Sequence, residues 1–521
     1  MGKQEVRVVV AGRFCCCFLE FQPFHSLKDC RDFCVIMARL FGTDGVRGRA
    51  NADLTPELAF RVGLAHGYLI KKQFNELEKS VGTGSEENEA ACGTCRLEES
   101  SASGELCLGT LPHPIAAVGR DTRLSGPMLQ YGYACGLISS GVNVLSLEVI
   151  PTPGVAWSIR HYGTEGGCVI SASHNPFQDN GLKLIGADGF KLSDAQEDEL
   201  EELIAGSDQL PRAQGADLGR VIDGRGVQKD YVSYVESLAR ESLQGLSIVV
   251  DCANGASSAM AETIFRHLGA KVVPIHCNPD GVNINSNCGS THPQSLREKV
   301  VEVGADLGLA FDGDADRCLA CDERGEMIDG DHMLLLFAQW LDRQGRLPHK
   351  RLITTVMANL GLEIACRKFG FDMARTAVGD RYVLEEMRRS GSRLGGEQSG
   401  HIIFLEHSTT GDGMVTGLML SQIVKNSGQR LSELAKVVEK QPQYLVNVRV
   451  KDKHHWKEHP AVAQAVELVE GKLAGQGRLL VRPSGTENLV RVMAEGADPK
   501  ELRELVDGLC RVLQQYCPPE G

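Results

Sequence analysis

The chain has 521 residues, of which 42% are hydrophobic and 24% charged, a composition that is ordinary for a globular protein of roughly three or four domains. Its formal net charge of −13 argues against a nucleic-acid partner, because proteins that bind duplexes are usually basic. No apolar run approaches the ~20 residues needed to cross a bilayer, so a membrane partner is not expected either. An anionic substrate could still bind through local arginines, a lysine or a metal ion.

Two segments differ from the rest of the chain. Residues 1–36 form an apolar head interrupted by charges, without the clean apolar stretch and cleavage site of a signal peptide. Met37 follows as a candidate translation start, so we expect the head to be either untranslated or disordered. Residues 80–112 are rich in Ser, Gly and Glu, which predicts a poorly ordered, solvent-exposed insertion.

The remaining chain alternates predicted strands and helices. Apolar runs such as 116–120, 246–251 and 307–311 predict buried strands, each separated from the next by a predicted helix. Repeated βα units predict α/β domains with largely parallel sheets, whose ligands bind beyond the carboxyl ends of the strands. Residues 477–516 predict two strands around a glycine-containing loop and then an amphipathic helix, which indicates a small α+β domain.

The 18 cysteines are spread along the chain. In a long acidic chain, dispersed cysteines favour a reduced, cytosolic protein over a disulfide framework. Cys92 and Cys95 form a Cys-x-x-Cys pair, and His113 is the nearest candidate for a further zinc ligand. The spacing does not decide between a zinc site and free thiols.

A polar loop follows the apolar strand that ends at Ile170, and it places Ser173 and His174 side by side. The change from apolar to polar residues predicts that the Ser173 hydroxyl is exposed at the carboxyl end of a buried strand. Such a serine can be a nucleophile, a helix cap or an ordinary loop residue.

Another loop carries Asp312, Asp314 and Asp316 at alternate positions, directly after a predicted apolar strand. Three carboxylates so close together repel one another unless a cation binds among them, and oxygen ligands suit Mg²⁺ or Ca²⁺. Glu323 falls at the twelfth position of an EF-hand loop, but Arg317 stands where that loop requires glycine. A solvated acidic turn is the alternative to a metal site.

Three glycine-containing loops could bind other parts of a phosphorylated ligand. A guanidinium followed by hydroxyls and backbone N–H groups suits phosphate, and a carboxylate with a hydroxyl between glycines suits vicinal sugar hydroxyls. Each loop could equally be an ordinary turn. The candidate residues in chain order are Arg47, Glu397, Ser399, Arg482, Ser484, Gly485 and Thr486.

Together these loops suit an enzyme that holds one phosphate while another reacts. The sequence contains no G-x-x-x-x-G-K-[ST] nucleotide loop, which argues against a kinase. A simple phosphatase would not need a second phosphate site far along the chain.

Five motifs in this order resemble the signature set of the α-D-phosphohexomutase superfamily: FGTDGVRG, ISASHNP, DGDADR, GEQSGH and RPSGTE. Within the superfamily, VVDCANGA, DGVNIN, VGDRYVLEEM and STTGDGM most resemble the bacterial phosphoglucosamine mutases. The resemblance runs from about Phe41 to the C-terminal helix and leaves out the head and the insertion. Asn488 departs from it, because many relatives have proline at that position.

The resemblance implies an α/β protein with four domains around a central cleft. Three similar α/β domains with mixed, largely parallel sheets would precede a C-terminal α+β domain. The expected bounds are 37–220 for domain 1 with the serine loop, 221–327 for domain 2 with the metal loop, 328–441 for domain 3 with the sugar loop and 442–521 for domain 4 with the phosphate loop.

The resemblance also implies an isomerase that interconverts glucosamine 6-phosphate and glucosamine 1-phosphate, on the route to UDP-N-acetylglucosamine and peptidoglycan precursors. Ser173 would be a phosphoserine that gives its phosphoryl group to the substrate and forms a 1,6-bisphosphate intermediate. Asp312, Asp314, Asp316 and the phosphoserine would bind one Mg²⁺ per subunit. Glucosamine or glucose 1,6-bisphosphate would be the activator.

Further roles come from the same resemblance. Lys183 would be the general acid/base, which requires a depressed pKa, and His174 would position the phosphoserine. Arg47 and Arg317 would assist in the transition state. The sugar hydroxyls and the resting phosphate would be bound by Glu397 and Ser399 and by Arg482, Ser484, Gly485 and Thr486, respectively.

We therefore expect a cytoplasmic enzyme with a small phosphosugar substrate, and a homodimer is left open. A phosphomannomutase or phosphoglucomutase of the same superfamily is the nearest alternative, because a few hydrogen bonds separate the hexoses. A Mg²⁺-dependent sugar phosphatase with Asp312 as nucleophile and a non-enzymatic sugar-phosphate sensor are the more distant ones.

Overall fold

The computed structural model describes residues 8–10, 13–15, 39–42, 44–81, 113–484 and 488–518. Within the head, one antiparallel strand pair is described, Val8–Val10 (β1) with Arg13–Cys15 (β2). Nearly all of the insertion predicted over 80–112 lies outside the described residues. The disorder of both segments therefore stays a prediction, and so does a zinc site at Cys92 and Cys95.

The chain forms two compact units. The first comprises residues 1–318 and 408–418, and the second comprises 319–407 and 419–521. Among the residues described, no helix combines the length and the apolar character that crossing a membrane requires.

Six strands form the first sheet of the first unit: Val46–Arg49 (β3), Ile115–Arg120 (β4), Asn143–Val149 (β5), Gly166–Ile170 (β6), Asp179–Gly186 (β7) and Val221–Asp223 (β8). Their order is β3-β7-β6-β4-β5-β8. The strands β6, β4, β5 and β8 run parallel, and β7 is antiparallel to both β3 and β6. Every residue of β6 is buried, as in parallel strands covered on both faces.

Five helices belong to this part of the chain: Pro56–Val81 (α1), Gly126–Ser140 (α2), Thr152–Tyr162 (α3), Asp194–Ala205 (α4) and Val227–Ser237 (α5). Ser193 begins α4 with a capping box that Gln196 completes. Gly136 lets α1 and α2 approach closely, because a Cβ there would lie 2.2 Å from the Phe60 carbonyl oxygen.

The second sheet of the first unit contains three parallel strands in the order β10-β9-β11. Strand β11 is buried along its whole length and ends directly before Asp312, so the predicted metal loop lies at its carboxyl end. The elements are Ser247–Asp251 (β9), Ala261–His267 (α6), Lys271–Ile275 (β10), Gln294–Val303 (α7) and Leu307–Phe311 (β11).

A third sheet lies in the second unit and has four strands in the order β15-β14-β16-β17, of which β17 is antiparallel. An antiparallel hairpin, β12 with β13, precedes it in the chain. The elements are Cys318–Asp322 (β12), Met327–Ile328 (β13), Gly330–Arg343 (α8), Arg351–Thr355 (β14), Leu360–Phe369 (α9), Asp372–Thr376 (β15), Asp380–Ser390 (α10), Leu394–Gly396 (β16), Ile402–Phe404 (β17), Gly413–Ser427 (α11) and Leu431–Leu434 (α12).

The C-terminal part is an antiparallel sheet, β18-β20-β19, with two helices, and this confirms the predicted α+β domain. Leu502, Leu509 and Leu513 on one face of its last helix are buried in a core with Val492. The elements are Gln443–Arg449 (β18), Pro460–Leu473 (α13), Gly477–Pro483 (β19), Leu489–Gly496 (β20) and Pro499–Tyr516 (α14).

A fully buried carboxylate, Glu495 of β20, joins this sheet to the start of α9. Its Oε1 accepts a hydrogen bond from Asn359 Nδ2 at 3.0 Å, and its Oε2 accepts from the Leu360 backbone N–H at 3.1 Å. Arg478 Nε donates to Oε2 at 2.5 Å and neutralises the charge. Both oxygens are therefore satisfied away from water, which makes Glu495 a structural link within the second unit.

Replacing Glu495 by alanine is expected to lower the free energy of unfolding by about 3 kcal/mol, because the Arg478 charge and two N–H donors lose their acceptor. Urea unfolding followed by tryptophan fluorescence, to which the buried Trp456 contributes, measures the loss. Glu504→Ala, which removes an exposed carboxylate from α14, is the matched control. Equal losses in the two variants would contradict the role of Glu495.

Candidate active site

Ser173 lies in the loop after β6, where its φ of 51° places the backbone in the left-handed region. Its backbone N–H donates to Ser171 Oγ at 2.9 Å. The side chain is not exposed as predicted, because only 1% of Ser173 is accessible. The prediction of an exposed hydroxyl is wrong for a simple reason: the aspartate loop after β11 packs directly against it.

Arg123 fixes the serine loop, although the sequence reasoning did not identify it as a site residue. This fully buried guanidinium donates to the carbonyl oxygens of Ser173 at 2.8 Å and Asn175 at 2.9 Å, and also to those of Pro176 and Asp179. Its charge is balanced by Asp121, whose Oδ2 accepts from Arg123 Nε at 2.8 Å. The Asp-x-Arg spacing directly after a predicted strand was the available signal.

Asn285 holds the same loop from the side of the second sheet. Its Nδ2 donates to the carbonyl oxygens of Ser173 at 2.9 Å and Asn175 at 3.0 Å. Gly313, inside the aspartate loop, must be glycine, since a Cβ there would lie 2.5 Å from the Ser173 carbonyl oxygen and 2.9 Å from Asn285 Nδ2. The two predicted loops are therefore in contact.

The Ser173 hydroxyl donates a hydrogen bond to Asp312 Oδ2 at 2.5 Å. Asp312, Asp314 and Asp316 are buried, and one oxygen of each lies within 4.8 Å of the others. Among the described residues, Asp314 Oδ1 and Asp316 Oδ1 have no hydrogen-bond partner. Burial and then the carboxylates of Asp316 and Asp314 raise the pKa of Asp312 well above its usual value. Unsatisfied, mutually repelling oxygens fit a hard divalent cation.

Lys183 of β7 is 1% exposed and lies among these carboxylates. Its Nζ is 2.8 Å from Asp314 Oδ2, 3.2 Å from Asp44 Oδ2 and 3.6 Å from Asp316 Oδ2. Burial by itself would lower the pKa of Lys183, but the three carboxylates raise it above its ordinary value. The expected depression of this pKa is therefore not found, and the ammonium form is favoured here.

Asp44 is a second residue that the sequence reasoning missed, although it lies in the quoted FGTDGVRG motif. Its carboxylate pairs with Lys183, with Lys191 and with the predicted site residue Arg47 of β3. These cations outweigh burial and hold the pKa of Asp44 well below its usual value. Asp44 thus connects Arg47 to the lysine beside the metal loop.

His174 lies between the serine and Arg317. Its Nδ1 is 3.5 Å from Ser173 Oγ and 3.4 Å from Arg317 Nη1. Burial, followed by the positive charges of Arg317 and Arg47, lowers the pKa of His174 to about 4. The ring is therefore neutral near pH 7, which suits a residue that positions a serine without adding charge.

The remaining predicted residues belong to the second unit. Glu397 Oε1 accepts a hydrogen bond from the Gly379 backbone N–H at 3.3 Å. Ser399 Oγ is buried and has no hydrogen-bond partner among the described residues. Gln398, which follows Glu397 in the chain, donates a hydrogen bond from Nε2 to Oδ2 of the buried Asp331 at 3.0 Å.

The predicted phosphate loop begins at Arg482, which is opposite Arg491 in the ladder between β19 and β20. Burial and the neighbouring Arg491 charge lower the pKa of Arg482. Arg491 Nε is buried without a hydrogen-bond partner among the described residues, and sequence reasoning had not singled it out. Ser484 is buried, whereas Gly485 and Thr486 lie outside the described residues. Two adjacent guanidinium groups favour an anion at this position.

Comparison with known proteins places these sites in a family. Four domains of the phosphoglucomutase/phosphomannomutase family match the chain: domain I over 38–85 and 102–211, domain II over 229–325, domain III over 329–441 and the C-terminal domain over 445–512. Phosphoglucosamine mutase from Brevibacillus brevis is 47% identical over 480 residues, which are 92% of this chain and 99% of that protein.

The chain belongs to the phosphoglucosamine mutase family. It is therefore an isomerase of the intramolecular phosphotransferase class, and the predicted family, enzyme class and four-domain α/β fold are confirmed. The catalytic and binding roles of individual residues stay predictions, and so do the domain bounds.

Solved structures share the fold of this phosphoglucosamine mutase family member. A phosphoglucomutase/phosphomannomutase family protein from Burkholderia thailandensis has a TM-score of 0.71 at 23% identity, over 92% of this chain and 97% of that chain. N-acetylphosphoglucosamine mutase from Aspergillus fumigatus, solved with GlcNAc-6P and magnesium, has a TM-score of 0.61 at 16% identity, over 91% of this chain and 95% of that chain.

Arg123→Lys is expected to lower kcat by about 100-fold with little change in KM, since lysine keeps the charge but cannot hold several carbonyl groups in a fixed plane. Steady-state kinetics measure the two constants. Arg120→Lys is the matched control, because Arg120 pairs with Glu148 and contacts no carbonyl group of the serine loop. Similar kcat values for Arg123→Lys and wild type would rule out this positioning role.

The free energy of unfolding should fall as the pH rises from about 4 to 7, because the pKa of Asp331 is raised in the folded state. Burial and then Asp329 raise the pKa of Asp331 from 3.8 to about 7. The folded state therefore binds this proton more tightly than the unfolded state, and the resulting stability, complete below pH ~4, is lost as the pH passes 7. Its Oδ2 accepts from the Asn359 backbone N–H at 2.8 Å, an interaction that an asparagine oxygen can retain.

Asp331→Asn is accordingly expected to raise the melting temperature more at pH 8 than at pH 5. Thermal unfolding of both proteins over this pH range tests the difference. Glu470→Gln removes an exposed carboxylate of α13 and should give the same small change at every pH. A pH-independent effect of Asp331→Asn would show that Asp331 is ionised throughout.

Proposed function

We propose that the protein interconverts glucosamine 6-phosphate and glucosamine 1-phosphate through a phosphoserine at Ser173. The observation that carries the proposal is the 2.5 Å contact of Ser173 Oγ with Asp312 Oδ2, inside a buried carboxylate cluster that also pairs with Lys183. A hydroxyl nucleophile, a cation site and a proton carrier are the groups that phosphoryl transfer to and from a serine needs.

In the first step, the bond between phosphorus and Ser173 Oγ breaks and a bond forms between phosphorus and the free hydroxyl oxygen of the hexosamine phosphate. The hydroxyl loses its proton, and Ser173 Oγ gains one. Lys183, whose ammonium form is favoured, is the proposed carrier: it gives its proton to Ser173 Oγ and takes up the proton that the substrate hydroxyl loses, because it lies beside the cluster that contacts Oγ. The 1,6-bisphosphate turns round, and the other phosphate returns to Ser173, so that no phosphate is released.

Asp312, Asp314 and Asp316, with an oxygen of the phosphoserine, would hold one Mg²⁺. When bound, magnesium supplies positive charge that stabilises the transferring phosphoryl oxygens. Arg47 and Arg317 would add charge near the same group, and the neutral His174 would keep the phosphoserine in position. The solved A. fumigatus enzyme contains magnesium, which supports this choice of ion.

The remaining predicted residues would bind the substrate parts that do not react. Glu397 and Ser399 would bind sugar hydroxyls, while Arg482, with Ser484, Gly485 and Thr486, would bind the resting phosphate. The Arg482–Arg491 pair supports an anion site there. Glucosamine or glucose 1,6-bisphosphate would restore the phosphoserine after its loss. A cytoplasmic location and a homodimer are parts of the same proposal.

The phosphoserine is tested by replacing Ser173 with alanine. Intact-mass and peptide analysis should find one phosphate group on Ser173 of the purified wild type and none in Ser173→Ala. Mutase activity of the variant should fall at least ~10³-fold, since a covalent nucleophile is lost. Ser399→Ala is the matched control, because it removes a hydroxyl from the second unit and should keep the phosphate on Ser173.

The substrate is tested by comparing the turnover of glucosamine, glucose and mannose phosphates, with glucosamine 6-phosphate expected to give the highest kcat/KM. A higher value for a mannose or glucose phosphate would make the protein a phosphomannomutase or phosphoglucomutase. Release of free phosphate without isomerisation, unaffected by Ser173→Ala, would instead indicate a phosphatase.

A further inference from the structure

Three side chains with different metal-binding atoms meet at the second sheet of the first unit. Asp251 ends β9, His276 follows β10, and Cys288 lies in the loop before α7. One ligand atom of each lies within 4.8 Å of the others, and His276 Nδ1 is 3.1 Å from Asp251 Oδ1. Asp251 and Cys288 are fully buried.

The histidine nitrogen forms an ion-pair contact with a buried carboxylate oxygen, Asp251 Oδ1, at 3.1 Å. His276 Nδ1 is buried and has no hydrogen bond of acceptable geometry among the described residues, although a carboxylate oxygen is close to it. Cys288 Sγ has only a weak contact, 3.9 Å from Asn254 Nδ2. An imidazole nitrogen and a carboxylate oxygen are therefore in contact, and a sulfur with only a weak hydrogen bond lies within 4.8 Å of both.

Asp251 also accepts hydrogen bonds from two backbone N–H groups, which explains why a carboxylate is buried here. Its Oδ1 accepts from the Ala253 backbone N–H at 2.9 Å, and its Oδ2 accepts from the Gly289 backbone N–H at 2.9 Å. These bonds would fix the orientation of a ligating carboxylate, as hydrogen bonds around metal ligands commonly do. The contact with Asp251 accounts for the imidazole in part, but neither it nor these bonds accounts for a thiol at the same place.

We propose that Asp251, His276 and Cys288 bind a divalent ion of the zinc class. Bonds of about 2.0–2.3 Å in a tetrahedron place ligand atoms roughly 3.3–3.7 Å apart. The ligand atoms of the cluster, all within 4.8 Å of one another, are near this spacing. Sulfur and nitrogen ligands favour zinc over magnesium, which takes oxygen ligands. The fourth position would hold water. The site differs in chemistry from the aspartate cluster beside Ser173.

The ion would join two loops that support the catalytic serine. The Asn285 backbone N–H donates to the Ala253 carbonyl oxygen at 2.9 Å, and Asn285 Nδ2 donates to the Ser173 carbonyl oxygen at 2.9 Å. An ion bound by Asp251 and Cys288 would connect the segment that contains Ala253 to the segment that contains Asn285. The site is therefore a structural support for the serine loop and takes no part in the chemistry.

Cobalt(II) titration of the full-length, reduced protein tests the proposal. Excess Mg²⁺ should be present, so that oxygen sites are filled, and a thiolate–cobalt absorption band in the near ultraviolet then reports sulfur ligands alone. We expect one equivalent of cobalt to produce the band and one equivalent of zinc to remove it. Zinc should also raise the melting temperature of the wild type.

Variants assign the band to residues. His276→Ala and Cys288→Ser should each weaken cobalt binding at least tenfold and abolish the zinc-dependent rise in melting temperature. Cys366→Ser, at a buried cysteine of α9, and the double variant Cys92→Ser/Cys95→Ser should leave the band unchanged. His276 is only partly buried, so His276→Ala keeps the test valid if Cys288→Ser does not fold.

Two results would overturn the site. One is the absence of a stoichiometric band in the wild type. The other is a band that survives His276→Ala, whether or not it depends on Cys92 and Cys95. Neither result depends on mutase activity, so the metal site and the proposed function can fail separately.

Discussion

The candidate active site depends on carboxylates that are buried together, two of which keep an oxygen without a hydrogen-bond partner among the described residues. Asp312, Asp314 and Asp316 come from one loop, and Asp44 comes from another part of the first unit. A single buried lysine, Lys183, contacts three of these four groups. Because Asp314 Oδ1 and Asp316 Oδ1 have no hydrogen-bond partner among the described residues, a divalent cation is favoured there, and the carboxylates around Lys183 favour a protonated lysine. A bound cation and a protonated lysine would each stabilise the negative charge of a phosphate group.

The backbone around the serine is held by groups that leave its hydroxyl unhindered. Arg123 and Asn285 bind carbonyl oxygens of the loop, and Gly313 lets the aspartate loop approach without a side chain in between. The proposed phosphoserine cycle would require Ser173 to return to one position after each transfer, and main-chain anchoring supports this. The left-handed backbone of Ser173 is maintained by the same contacts.

The second unit has two neighbouring positive charges at its candidate phosphate site. Arg482 and Arg491 are adjacent in the C-terminal sheet, and their repulsion is relieved when an anion binds. The charge that supports the fold, Glu495, is by contrast fully paired with Arg478 and two N–H groups. In the second unit, like charges are therefore adjacent where a ligand is expected, and opposite charges are paired where they support the fold.

The sequence by itself determined the family, the alternation of strands and helices, and the loops that carry Ser173 and the three aspartates, because periodicity and ordered motifs are local properties of the chain. Only the tertiary structure decided which distant residues meet. Arg123, Asn285 and Asp44 were missed, and the Ser173 hydroxyl was expected on the surface, because burial and hydrogen bonding arise when separate loops pack together. The pKa of Lys183 was misjudged for the same reason: it is set by carboxylates that are distant in the chain and adjacent only after folding.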